Sequence, residues 1–166
     1  MNLMQALDEA LAYETRIRDL YDSAAADASL PESKAFFEFL AKDEGYHVKF
    51  IESAREGARK GLAPDSSNLK SSIPADVSDA IAKAKAAFVS NRDSSQLTAL
   101  QNALRAEEET SAFYRRLVST LPATETGAFR RLQEIEDGHT AIVKAELDSV
   151  TRAGFWFDVR EFDMEE

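Results

Sequence analysis

The chain has no cysteine among its 166 residues. That excludes disulfides, zinc ribbons, thiol catalysis and any cysteine-held iron site on this chain. Basic residues are in deficit, 20 against 30 acidic ones, for a net charge of −10 and a pI of about 4.8. Non-specific nucleic-acid binding and docking on an anionic membrane both need a basic surface, so neither is expected. No apolar run approaches the ~18 residues of a membrane span. The first nine residues, Met1 to Glu9, carry neither a basic region nor an apolar run. No signal peptide is therefore expected, and the expected location is cytoplasmic. Glycine (6) and proline (4) are scarce, and alternating β-branched runs are almost absent.

What remains is helical: alanine, leucine, glutamate, lysine and arginine dominate. The four prolines punctuate the chain at Pro31, Pro64, Pro74 and Pro122, each reading as a turn or a helix start. Between them the periodicity predicts four long helices, near 2–28, 32–61, 94–120 and 123–152. The joints at 29–31 and 121–123 are short, which makes helices 1 and 2 antiparallel neighbours, and likewise 3 and 4. The joint at 62–93 is long and holds its own amphipathic segment, with Val77, Ile81, Ala84 and Phe88 at helical spacing. The expected fold is all-α: an antiparallel four-helix bundle over 1–152, with a long helix 2–helix 3 crossover of the ferritin-like kind and a short helix within it. Residues 153–166 form an aromatic C-terminal tail, with Phe155, Trp156, Phe157 and Phe162. Capping of the bundle end and a dimer contact both account for the tail. A homodimer is the expected assembly. The cluster Phe36, Phe37 and Phe39 reads as packing.

The bundle is an internal repeat, 1–61 against 94–152. Ala10, Glu14, Ile17 and Tyr21 recur 93 positions later as Ala103, Glu107, Thr110 and Tyr114. Phe37, Leu40, Glu44, His47 and Ile51 recur 92 positions later as Phe129, Leu132, Glu136, His139 and Val143. These positions follow the 3–4–3–4 spacing of a core-facing stripe. Each helix thus drives one carboxylate into the interior, and two of them add an imidazole one turn on. In helix 3 the inward carboxylate is one of three neighbours, Glu107, Glu108 or Glu109; the repeat and the spacing to Tyr114 favour Glu107. Burying an unpaired carboxylate costs several kcal/mol, and none of the stripes offers a Lys or Arg. Two divalent cations would balance four carboxylates. Oxygen and imidazole donors without thiolate suit iron or manganese. Both histidines of the chain stand three residues after a Glu; with 17 Glu in 166 residues, chance would do that about once in 100 sequences.

The pattern Glu14…Tyr21, Glu44-Gly45-Tyr46-His47, Glu107…Tyr114, Glu136-Asp137-Gly138-His139 resembles the di-iron domain of the ferritin-like superfamily, nearest to rubrerythrins, over roughly residues 2–152. The resemblance implies two iron ions per subunit, with manganese possible in their place. Glu44 and Glu136 would bridge them; Glu14 and His47 would serve one metal, Glu107 and His139 the other. Tyr21 and Tyr114 would belong to the catalytic site by hydrogen-bonding the terminal glutamates. The implied activity is that of a non-haem di-iron oxidoreductase acting on dioxygen or hydrogen peroxide, with electrons from an external donor. Rubrerythrins usually carry a further Glu three residues after the helix 3 Glu; here Thr110 stands there and Ile17 at the paired position. That leaves the symmetric six-residue set of bacterioferritin-like sites. The alternatives are a ferroxidase for iron storage or detoxification, and a metal-free helical interaction module.

Overall fold

A computed structural model of the protein describes residues 1–73 and 94–151. Four long helices account for most of them: α1 Leu3–Asp27, α2 Pro31–Arg59, α3 Ser94–Thr120 and α4 Gly127–Thr151, with a single 3-10 turn at Ser66–Asn68. Among the described residues there is no strand, and no helix is long and apolar enough to cross a membrane. Pro74, the amphipathic stretch around Val77, Ile81, Ala84 and Phe88, and the aromatic tail lie outside the described residues.

The helix ends follow local chemistry. Asn2 caps α1 reciprocally with Gln5: the Asn2 side chain accepts from the Gln5 N–H, and the Gln5 side chain from the Asn2 N–H, both at 2.9 Å. Pro31 opens α2, where its missing N–H costs nothing. Gly61, at φ +78°, ends α2: its N–H donates to Ala58 O and that of Leu62 to Gly57 O, both at 3.0 Å. The periodicity predicts a fourth helix from 123, next to Pro122. Instead 123–125 form a turn, Glu125 N–H donating back to Pro122 O at 2.8 Å, and α4 begins at Gly127.

Pairings between helices set the topology. His47 of α2 reaches Glu14 of α1, and Arg55 reaches Asp8, so these helices are antiparallel. Tyr21 bonds Glu107 while Tyr114 bonds Glu14, which makes α1 and α3 antiparallel too. Ser111–Asp137 and Lys144–Glu108 do the same for α3 and α4. His47–Glu136 and His139–Glu44 do so for α2 and α4. Consequently α2 and α3 run the same way, and Arg59 and Ser94 lie at opposite ends of the bundle. The segment after α2 starts back along it: Leu69 packs at one level, and Ile73 is buried at the next.

The apolar core comes in two blocks. One contains Leu7, Ile51, Leu117 and Leu132; the other contains Ile17, Leu40, Leu100 and Val143. The carboxylates and histidines of the four stripes form a polar layer between them, walled by hydrocarbon above and below.

Candidate metal centre

All six residues that the stripes single out, Glu14, Glu44, His47, Glu107, Glu136 and His139, are fully buried. They converge on one place. Glu14, Glu44, His47 and Glu136 form one group whose donor atoms all lie within 4.8 Å of one another, and Glu44, Glu107, Glu136 and His139 form a second. Glu44 and Glu136 belong to both groups. The ambiguity in helix 3 is resolved in favour of Glu107: Glu108 and Glu109 lie on the surface, beside Lys144 and Arg16.

Both imidazoles turn Nδ1 towards the centre. His47 Nδ1 lies 3.2 Å from Glu14, 3.2 Å from Glu44 and 3.3 Å from Glu136. His139 Nδ1 lies 2.7 Å from Glu44 and 3.7 Å from both Glu107 and Glu136. The rings are near-parallel, 5.5 Å between centroids. The outer edges of the cluster are braced by tyrosines. Tyr21 of α1 donates to Glu107 of α3, and Tyr114 of α3 donates to Glu14 of α1. The two bonds are copies of each other under the internal repeat.

One participant escaped the sequence reading. Asp43 is buried, and its Oδ2 lies 3.1 Å from His139 Nε2. Its carboxylate is fixed by Ser71 Oγ at 2.7 Å and by the backbone N–H of Ser72. Asp43 lies off the stripe, one residue before Glu44, and its partner is 96 positions away, so spacing alone gave no signal. At the positions of the absent extra carboxylate, Thr110 donates to Ala106 O at 3.0 Å within its own helix, and Ile17 is buried among apolar neighbours.

The electrostatics without metal are those of crowded acids. Burial pushes both imidazoles towards neutrality, but the surrounding carboxylates outweigh it. Glu44 and Glu14 do this at His47, and Glu44 and Glu107 at His139, so both bind a proton well above the usual range. Burial, reinforced by Glu136 and Glu44, pushes Glu107 well up against the pull of His139. At Glu136 burial and Glu44 push upward, yet the two imidazoles win and hold it below the usual carboxylate range. Burial raises both phenols, with the Glu107 charge adding at Tyr21 and the Glu14 charge at Tyr114. They stay protonated, as donors must. Asp43 is the converse case: despite burial, the bonds from His139, Ser71 and Ser72 hold it well below the usual range.

The donor set fits metal. Glu44 Oε1, Glu107 Oε2, both Glu136 oxygens and His139 Nδ1 are buried without a hydrogen-bond partner. Native interiors leave few such atoms. Five of the eight such side-chain atoms among the described residues thus lie together within the two ligand groups. Two cations sharing Glu44 and Glu136 would occupy those lone pairs and displace the histidine protons. The cluster can therefore hold metal through oxygen and imidazole donors. No protein-family model, no curated protein and no solved structure matches the chain.

Proposed function

We propose that the chain is a ferritin-like di-metal carboxylate oxidoreductase, akin to rubrerythrins, that reduces dioxygen or hydrogen peroxide. The observation that carries this reading is the pair of buried four-residue groups sharing Glu44 and Glu136. Helix order supports it as well. Each helix lies antiparallel to two neighbours, and α2 and α3 are parallel, the arrangement in which ferritin-like bundles place such a centre.

The residues divide the work. Glu44 and Glu136 would bridge; Glu14 with His47, and Glu107 with His139, would complete one metal each. Two iron(II) ions held there would supply one electron apiece to the oxidant, and an external donor would restore them. The protein's share is positional and electrostatic. Four carboxylates neutralise two divalent ions, so the charge need not be met by lysine or arginine. Tyr21 and Tyr114 hold the terminal glutamates in place and keep their protons. The apolar blocks on either side keep bulk water from the reacting atoms.

Elemental analysis of protein from a metal-replete host should find two iron or manganese ions per chain. Its absorption spectrum should change on adding peroxide under anaerobic conditions. A metal-free preparation that takes up nothing on reconstitution would favour the helical interaction module instead.

One observation favours a second reading, ferroxidase activity in iron storage or detoxification. Thr110 offers no carboxylate to the centre, its hydroxyl being engaged by its own helix. The symmetric six-residue set is the one that bacterioferritin-like sites use. Under this reading the protein forms, or delivers iron into, a large cage, and uptake continues past two irons per chain. An iron titration followed by size-exclusion chromatography separates the two.

A further inference from the structure

The geometry points to two unequal metal positions, with Asp43 as the positioning residue that makes the Glu107/His139 position fill before the Glu14/His47 position. The inference rests on the dinuclear reading above and goes beyond it, since the six ligands by themselves are symmetric.

The symmetry breaks behind the histidines. A metal-binding imidazole is oriented by whatever its other nitrogen touches, and a carboxylate there also makes the ligating nitrogen a better donor. His139 has such a partner: Asp43 Oδ2 lies 3.1 Å from its Nε2. For His47 the same oxygen is 3.8 Å away, and its Nε2 has no hydrogen-bond partner. Asp43 is not free to divide itself between the rings. Ser71 Oγ and the Ser72 N–H hold its two oxygens from the far side. Under the repeat that relates His47 to His139, the counterpart of Asp43 is residue 135, and this is a buried isoleucine. One imidazole is thus presented with its ring and tautomer set in advance. The other ring, held by Glu14 and Glu44 at its Nδ1, has no acceptor at Nε2 to fix its tautomer and raise its donor strength.

The test uses cobalt(II) as a probe, titrated into metal-free protein and followed by visible absorption and calorimetry. Wild-type protein should bind two ions in separable steps. His47→Ala should keep the first step and lose the second. Asp43→Ala should weaken the first step by about 10–100-fold, the usual cost of removing a partner behind a metal-bound histidine, and change the second by less than about threefold. Asp43→Asn should recover only part of the loss: an amide oxygen in the place of Oδ2 still accepts from Nε2–H, but the amide NH2 then faces the Ser72 N–H. Ser71→Ala, a milder change that leaves Asp43 itself in place, should weaken the first step by a smaller factor. Equal weakening of both steps in Asp43→Ala, or none in either, would overturn the inference. So would loss of the first step in His47→Ala. Wild-type protein that binds no cobalt at all would defeat the dinuclear reading itself, an outcome distinct from these.

Discussion

Glu44 Oε1 of the first hairpin lies 2.7 Å from His139 Nδ1 of the second, with both side chains fully buried. The approach lacks the alignment of a hydrogen bond, so both atoms stay without one. Two strong donors to metal facing each other in a dry interior define the centre better than any single residue does. Because Glu44 belongs to both ligand groups and Glu107 to only one, the two should differ on removal. Glu44→Ala should cut bound metal from two ions per chain to none, whereas Glu107→Ala should retain one. Metal analysis after dialysis against a weak chelator reads this directly, and equal losses would count against a bridging role for Glu44.

Metal should also hold the bundle together. An ion that binds only the folded chain stabilises it by about 2.7 kcal/mol at a free concentration 100 times its Kd. For a chain of this length that corresponds to a rise in Tm of about 5–11 °C. Calorimetric scans with and without a strong chelator should show the drop. An unchanged Tm would mean that the buried acids are satisfied in some other way.

The pH dependence has a definite sign. In the metal-free chain His47 and His139 bind protons above their ordinary value of 6.5, and Glu107 above 4.5. A group whose pKa is raised by folding lends stability that is complete below its unfolded value and is lost as pH climbs through the folded one. Glu136 has the opposite sign: its contribution is present above 4.5 and is lost on acidification. The metal-free protein should therefore melt lower at about pH 8.5 than at about pH 6.5. The loaded protein should lose less, since metal has replaced the protons. Metal binding should release protons as well, measurable by titration calorimetry in buffers of different protonation enthalpy.

The centre was legible in the sequence because acids and imidazoles interrupt stripes that are otherwise apolar. Glu44 and His47 stand between Leu40 and Ile51, Glu136 and His139 between Leu132 and Val143, and all eight are buried. Periodicity settles which face a residue takes, so it settles convergence once helices pack by those faces. It does not settle contacts made off the stripe. Asp43 is one such contact, because its partners His139, Ser71 and Ser72 come from another helix and from a segment without periodicity. The start of α4 at Gly127, later than the periodicity predicts, has a related cause. Pro122 suits a first helical position, but it suits a turn equally well, and the turn at 123–125 is what forms.

The crossed tyrosines give the most selective test of the paired arrangement. Tyr114 donates to Glu14, which belongs only to the His47 group, and Tyr21 donates to Glu107, which belongs only to the His139 group. Replacing either by Phe keeps the ring that fills the core and removes only the hydroxyl. Losing a hydrogen bond to a charged group costs about 1.5–3 kcal/mol, which is about 10–150-fold in a binding constant. That loss should fall on one metal position at a time: Tyr114→Phe on the Glu14/His47 position, Tyr21→Phe on the Glu107/His139 position. Two-step metal titrations of the single variants and of the double variant would show it. In the double variant the effects should add, because the bonds lie on opposite sides of the centre and share no atom. Weakening of both steps by either single variant would mean that the terminal glutamates are coupled through the bridging pair rather than held separately by their tyrosines.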